Sequence, residues 1–262
     1  MRRRRPKAAD DPTGRLSRRP PSPLSLNQPL FMKLSIFDLD QTLLPLDSGD
    51  AWTHWMADHS GPAGAEIEAR FARFVEEWNA GVFKPLDFID FQFGLLARHD
   101  RAVLEDWRSG FIERVVRPAV RPEALRLVEE RRAAGCRVVL ATGTHRFVAE
   151  AVARLFGIDE VFAATPEERP DGSFTGRLIG GDSFGAGKVA LLREWMRREN
   201  LEADLEWVEA WSDSALDLPL LEFAAGWRPA GRAVAVNPDP MLGRIARARG
   251  WRTLELFKTE AG

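Results

Sequence analysis

From Pro122 onward the sequence alternates amphipathic helices with short β-branched runs, and that alternation leaves few folds open. Glu123–Ala134 reads as a helix stopped at Gly135, and Arg137–Ala141 (RVVLA) as a strand. Phe147–Phe156 reads as a helix ended by Gly157, followed by a short strand at Glu160–Ala164. Residues 171–182 (DGSFTGRLIGGD) read as a hairpin. Lys188–Asn200 (helix), Trp207–Trp211 (strand), Leu218–Ala225 (helix), Ala233–Val236 (strand) and Met241–Arg249 (helix) complete the pattern. Strands separated by helices imply parallel βαβ units. One earlier strand, Lys33–Phe37 (KLSIF), stands about a hundred residues before the next. The stretch between, from about Ala51 to Pro118, repeats apolar residues at helical spacing, as in Ile67, Phe71, Phe74, Val75 and Trp78. The architecture expected is α/β: a doubly wound, Rossmann-like parallel sheet with a helical cap inserted after the first strand. Its core would comprise residues 32–46 and 119–262, and its cap residues 47–118.

Charge and cysteine content narrow the function classes. The formal net charge is −2, which does not suggest a nucleic-acid binder. Residues 1–31 hold eight Lys/Arg against Asp10 and Asp11, so this segment carries +6 and the remainder −8. With many Pro and Ser and little apolar periodicity, it is expected to be a disordered basic tail. Met32 opens the first strand directly and is the expected alternative start. The single cysteine, Cys136, forbids an intramolecular disulfide and fits a cytoplasmic protein. No apolar run approaches the ~18–20 residues that span a bilayer.

Ligand sites in open α/β sheets form outside the carboxyl ends of the strands. The first strand delivers Asp38, Asp40 and Thr42 there, and the second delivers Thr142, Gly143 and Thr144. The strand at 207–211 delivers Ser212, Asp213, Ser214 and then Asp217, while Lys188 opens a helix after Gly185 and Gly187. Carboxylates gathered on one rim repel one another unless a cation joins them, and Mg²⁺ takes oxygen ligands of this kind. Hydroxyl, amide and lysine groups beside them suit phosphoryl oxygens, and a carboxylate can serve as nucleophile. The chemistry indicated is phosphoryl transfer.

DLDQT (38–42), ATGT (141–144), Lys188 in GKVALL and SDSALD (212–217) occur in the order and at the strand ends typical of one family. From Met32 on, the chain resembles the haloacid dehalogenase-like hydrolases, and within them the phosphoserine-phosphatase-like subgroup. The resemblance implies that Asp38 is the nucleophile and Asp40 the general acid/base. It implies Mg²⁺ held by the Asp38 carboxylate, the Asp40 backbone carbonyl and Asp213, with Asp217 in support. It assigns phosphate binding to Thr142, Gly143 and Lys188. Leu216 departs from the pattern, since much of the subgroup has Asn there. LLPLDSGDAW (43–52), FVAEAVARLFGI (147–158) and AVAVNPDPML (233–242) are similar to subfamily IB hydrolases associated with histidinol-phosphate dephosphorylation. The expected activity is therefore a Mg²⁺-dependent phosphatase acting on a small-molecule phosphate ester through an aspartyl-phosphate. Histidinol phosphate is the leading substrate and phosphoserine the alternative. A non-catalytic phosphometabolite-binding protein is the alternative of another class.

Other residues carry two readings each. Asp47 and Asp50 either face a cationic amine or belong to a loop in which Ser48 or Asp50 caps the next helix. His145 and Arg146 either touch substrate or simply begin a helix. The cap aromatics are expected to be core, with one or two lining a pocket. Arg70, Arg73, Lys84 and Arg98 are expected on solvated faces, and His54, His59 and His99 are expected to be surface or satisfied histidines. No Cys/His cluster points to zinc. GGDSFGAG (180–187) lacks the Lys-Ser/Thr ending of a P-loop.

Overall fold

The computed structural model describes residues 32–257; the expected disordered tail, residues 1–31, lies outside the described residues. Six parallel strands form one sheet in the order β3-β2-β1-β6-β7-β8. These are Met32–Phe37 (β1), Cys136–Ala141 (β2), Glu160–Phe162 (β3), Leu205–Ser212 (β6), Ala230–Val236 (β7) and Arg252–Leu254 (β8). Counted within the sheet the order is 3-2-1-4-5-6, with the reversal of winding between β1 and β6. Register makes the three central strands end level: Phe37 lies beside Leu140 on one side and Trp211 on the other. The loops leaving these strands therefore meet at the switch point.

Helices cover both faces because β1 alternates. Leu34 and Ile36 pack with Leu192, Trp195 and Met196 of α8 (Ala186–Arg198), and with Leu220 and Leu221 of α9 (Leu218–Ala225). Phe37 points the other way and stacks on Trp211 at 5.3 Å. On that side lie α6 (Pro122–Ala133) and α7 (Arg146–Ala153), whose Leu127, Val128, Val148 and Val152 are buried there. The last helix, α10 (Pro240–Arg249), connects β7 to β8. Among the described residues no helix is long and apolar enough to cross a membrane.

Between β1 and β2 the chain is helical: α1 (Ser48–His59), α2 (Gly64–Asn79), α3 (Pro85–Leu96), α4 (Arg101–Phe111) and α5 (Arg117–Ala119), the last two joined by a π-turn. The stripe of Ile67, Phe71 and Phe74 on α2 packs with Ile89, Phe91 and Phe93 of α3, as their spacing predicts. The hairpin differs from expectation. Its strands are Thr165–Glu168 (β4) and Phe174–Ile179 (β5), so it starts six residues before the expected 171. The stretch TPEE has neither an apolar alternation nor a β-branched run, so its own sequence does not mark it as a strand. β8 likewise lacks a sequence signal; only pairing with β7 defines it.

One buried charge sits in the sheet itself. Glu209, fully buried on β6, accepts from Ser35 Oγ at 2.8 Å and from Trp207 Nε1 at 3.3 Å, and it pairs with Arg232. Breaking a buried pair strands its partner and costs about 3–5 kcal/mol. Glu209→Leu should therefore lower unfolding free energy by about 3 kcal/mol in urea titrations, and Glu209→Gln by less. Equal, sub-kilocalorie effects would show that the carboxylate charge carries none of this stability.

Candidate active site

Asp38 leaves the end of β1 with its N–H bonded to the Trp211 carbonyl (2.9 Å), which ties the loop to β6. The turn after it is wound on the Leu39 carbonyl, which accepts N–H groups from Thr42, Leu43 and Leu44. Gln41 takes a left-handed backbone (φ 56°) to allow it. Leu39, Leu43 and Leu44 are fully buried and anchor the loop from below.

The site is assembled around Lys188. Its Nζ lies 2.7 Å from Asp38 Oδ1 and 2.6 Å from Asp217 Oδ2, all three side chains buried. Ser212 Oγ also donates to Asp217 (2.9 Å). Desolvation opposes the ammonium, but Asp217 and Asp38 more than offset it and raise the Lys188 pKa. Desolvation raises Asp38 to about 6, less than it would without Lys188. Asp213 lies on the far side of Asp38, where the Thr42 hydroxyl stands 3.2 Å from an oxygen of each carboxylate. Desolvation, with the Asp38 charge beside it, pushes Asp213 up to about 8.

These two carboxylates fit a small divalent cation. They share one hydroxyl proton between them, and desolvation raises both, Asp213 further than Asp38, which has Lys188 beside it; a cation at that point would offset this. Among the described residues no set of three acidic, Cys or His side chains is placed to hold a metal ion by itself. That is compatible with Mg²⁺, which keeps several waters and needs only one or two protein carboxylates.

Asp40 is held apart from this group. Its Oδ1 accepts from the Ser48 N–H at the start of α1 (2.8 Å) and its Oδ2 from the Thr144 hydroxyl (2.7 Å). Ser48 Oγ and Thr144 Oγ1 are themselves 3.1 Å apart. Desolvation, then the charges of Asp47 and Asp38, raise its pKa well above the usual carboxylate value. A protonated Asp40 is the state that can donate a proton.

A cavity of about 310 Å³ opens above these groups. Asp38, Asp40, Asp213, Asp217, Lys188 and Gly143 line it, together with Asp47 and Asp50. Thr142 does not: it is fully buried and its hydroxyl receives the Thr144 N–H (3.1 Å). The helix cap is Asp47, which accepts the Asp50 N–H at 2.8 Å, and not Ser48 or Asp50. Ser48 is the first helical residue, so its amide is free to reach Asp40. Desolvation and the Asp47 charge raise Asp50 to about 7.

The aromatic lining is wider than the one or two side chains expected: Phe71, Phe74, Trp78, Phe83, Phe88, Phe93 and Phe184 all contribute. Periodicity marks α2 and α3 as helices but cannot say which apolar face turns to a cavity. Phe184 comes from the Gly-rich 180–187 loop and lies over Gly143, where a Cβ would be 3.0 Å from its ring. Leu216 lines the cavity too, leaving the contacts of Asp217 intact. His145 lines it, whereas Arg146 is spent on Glu150, Thr165 and the Val161 carbonyl. Arg70, Arg73, Lys84, Arg98, His54, His59 and His99 stand away from it.

A family model for haloacid dehalogenase-like hydrolases matches residues 36–222. A histidinol-phosphatase from Neisseria meningitidis serogroup C (strain 8013) is 33% identical over 223 residues, covering 84% of this chain and 97% of that protein. The crystal structure of a protein of unknown function from Bordetella pertussis Tohama I shares 37% identity at a TM-score of 0.80, over 86% of this chain and 99% of that one. A phosphoserine phosphatase solved as an analogue of its phospho-aspartyl intermediate shares the fold, with a TM-score of 0.56 at 19% identity over 87% of this chain and 94% of that one. The chain belongs to the haloacid dehalogenase-like hydrolases.

The Lys188 bridge has a measurable signature. Lys188→Met leaves Asp38 and Asp217 buried without their cation, and unfolding free energy at pH 8 should fall by about 3–5 kcal/mol. Adding Asp217→Asn should recover part of that loss. A double variant no more stable than Lys188→Met alone would show that the bridge does not hold the site together.

Proposed function

We propose that the protein is a Mg²⁺-dependent phosphomonoesterase that hydrolyses a cationic amino-alcohol phosphate, histidinol phosphate, through an aspartyl-phosphate on Asp38. The observation that carries this reading is the different treatment of two neighbouring carboxylates. Asp38 is bound by Lys188 and faces Asp213, whereas Asp40 is bound by Ser48 and Thr144 and has a raised pKa. One is suited to attack, the other to proton transfer.

In the first step an Asp38 oxygen attacks phosphorus, and the phosphorus–oxygen bond to the substrate alcohol breaks. Asp40 gives its proton to the departing oxygen, so the alcohol leaves neutral. In the second step Asp40, now a carboxylate, takes a proton from water as the water oxygen attacks the aspartyl-phosphate. Inorganic phosphate leaves and Asp38 is restored. Lys188 and the Gly143 N–H are the groups assigned to the phosphoryl oxygens, with Thr142 shaping the loop that presents them. Mg²⁺ held by Asp38, Asp213 and the Asp40 carbonyl would offset carboxylate charge and polarise the phosphoryl group. The helices of residues 47–118 are assigned as the cap that excludes bulk water during transfer.

Charge supports the substrate class. Asp47 and Asp50 form no ion pair among the described residues, and Lys188 is the only Lys or Arg among those lining the cavity. An ammonium group would be welcome beside them. The carboxylate of phosphoserine would find no free cation and two anions instead. The histidinol-phosphatase likeness agrees with this reading.

Asp38→Asn should lower turnover of histidinol phosphate and p-nitrophenyl phosphate by at least about 10³-fold. Asp50→Asn should reduce kcat/KM about 10- to 100-fold more for histidinol phosphate than for p-nitrophenyl phosphate, through KM. L-phosphoserine shares the ammonium and differs in its carboxylate, so phosphate release from it at the rate of histidinol phosphate would reject the exclusion of a carboxylate from this cavity.

Metal dependence has a readout without turnover. Asp38, Asp50 and Asp213 have folded pKa values of about 6, 7 and 8, above their ordinary 3.8. The native state then binds more protons than the unfolded chain between about pH 4 and 8. Their stabilisation is full below about pH 4 and is lost as pH rises through those values. In EDTA these groups should lower Tm from about pH 5 to about pH 8, and Mg²⁺ should raise it more at the higher pH. A Mg²⁺ shift that survives Asp213→Asn would place the ion elsewhere.

A further inference from the structure

Gln92 and His145 reach the cavity where α1, α3 and the loop after β2 converge, and the proposed phosphoryl transfer uses neither. Gln92 is 2% exposed and His145 4% exposed. Gln92 Nε2 donates to Thr53 Oγ1 (2.6 Å), which in turn donates to the Gly49 carbonyl (2.9 Å). Gln92 Oε1 and both ring nitrogens of His145 have no partner among the described residues, and all three atoms are buried within the cavity wall. A buried polar atom left unpaired costs about 1–3 kcal/mol. The remaining orphaned side-chain atoms among the described residues belong to Trp52, Trp55, Arg131 and Arg232, which do not line this cavity.

Packing alone does not explain these two residues. His145 stands at the N-cap of α7 but makes no side-chain cap bond. Its ring packs edge-on against Phe93 (5.8 Å) and nearly parallel to Phe147 (6.5 Å), a place that phenylalanine would fill without orphaned nitrogens. Burial, with Arg108 nearby, lowers its pKa to about 3, so the ring is neutral at working pH. A neutral imidazole offers one N–H donor and one acceptor. Gln92 Oε1 adds a second acceptor. Gln92 itself interrupts an otherwise apolar face of α3, between Phe91 and Phe93.

We propose that Gln92 and His145 select the end of the substrate remote from phosphate, and that they fit a neutral heteroaromatic ring bearing one N–H donor and one acceptor nitrogen. As the ring enters, the two side chains turn toward it: the ring N–H pairs with Gln92 Oε1 and the ring nitrogen takes the His145 N–H, with the ring plane among Phe71, Phe88 and Phe93. A carboxylate at that end offers acceptors only and would oppose Gln92 Oε1. A phenyl ring would leave all three protein atoms unpaired, and a site built to hydrogen-bond rejects such an analogue by roughly 10²-fold or more. This deepens the phosphatase reading and rests on it for the orientation of the substrate.

The test compares L-histidinol phosphate with L-phenylalaninol phosphate, which keeps the amine and phosphate but lacks ring nitrogens. The wild-type enzyme should favour the former by roughly 10²-fold in kcat/KM. In Gln92→Leu and in His145→Phe that ratio should fall about 10-fold or more, through the KM of histidinol phosphate. Both variants should melt at or above the wild-type temperature, because each removes unsatisfied buried atoms. A wild-type ratio near one, or a ratio unmoved in both variants, overturns the proposal while leaving the phosphatase reading in place. If neither ester nor p-nitrophenyl phosphate is hydrolysed, the phosphatase reading fails. The proposal is then judged by calorimetry with L-histidinol and L-phenylalaninol. Preferential binding of L-histidinol that is lost in Gln92→Leu supports it, and equal binding overturns it. Should His145→Phe fail to fold, His145→Leu supplies the same comparison.

Discussion

The ion pairs of Lys188 with Asp38 and Asp217 hold the rest of the site in register. The three residues come from α8, the end of β1 and the turn after β6, so one ammonium joins segments 150 and 29 residues apart. Its placement follows from topology. The sheet reverses its winding between β1 and β6, and loops diverging there leave a crevice into which α8 directs its first turn. Neither carboxylate could remain buried and charged without the lysine, and the lysine could not remain buried without them. The compensation is local: Asp213, beyond direct reach of Lys188, resists ionisation more strongly than Asp38 does. That imbalance marks where further positive charge belongs.

Asp40 lies two residues from Asp38 but answers to different elements. Its two oxygens are tied to Ser48, the first residue of α1, and to Thr144, after β2. The helical insertion therefore reaches back to Asp40 through its first amide. Asp47 makes this geometry by capping α1, which fixes the direction of the Ser48 N–H. A small displacement of α1 would alter the hydrogen bonding of Asp40 before it altered anything at Asp38. Movement of the insertion and the hydrogen bonding of Asp40 are thereby linked through one backbone bond.

The strands and the groups at their ends were legible in the sequence because two strong local signals coincide there. RVVLA and AVAV are β-branched or small and apolar, and polar clusters come directly after the central strands. Segments whose shape depends on distant partners were not legible. TPEE is a strand only because Phe174–Ile179 returns beside it, and Arg252–Leu254 only because β7 is there to pair. The capping role of Asp47 depends on which residue turns first, a choice that Asp47, Ser48 and Asp50 contest with similar chemistry. The aromatic residues were legible as helical but not as cavity lining, because a helix with apolar residues on several sides does not announce which side stays unfilled. Gln92 could have been singled out as the lone amide in FIDFQFGLL, and His145 could not, since its burial comes from Phe93 and Phe147.

The cavity's chemistry divides along its walls. The core side supplies carboxylates and one lysine; α2 and α3 supply aromatic rings and a buried amide. Lys188 is already committed to Asp38 and Asp217, so an incoming anion competes with bonds that are in place. A phosphate dianion is admissible there only with extra positive charge, whether from a divalent ion or from the ligand itself. Asp47 and Asp50 favour the second source as well as the first, because desolvation has left both short of charge compensation. A ligand with phosphate at one end, an ammonium in the middle and a flat ring at the other would meet each wall with its complement. A ligand that replaces the ring by a carboxylate would place its second anion against carboxylates or against aromatic faces, and neither wall stabilises it.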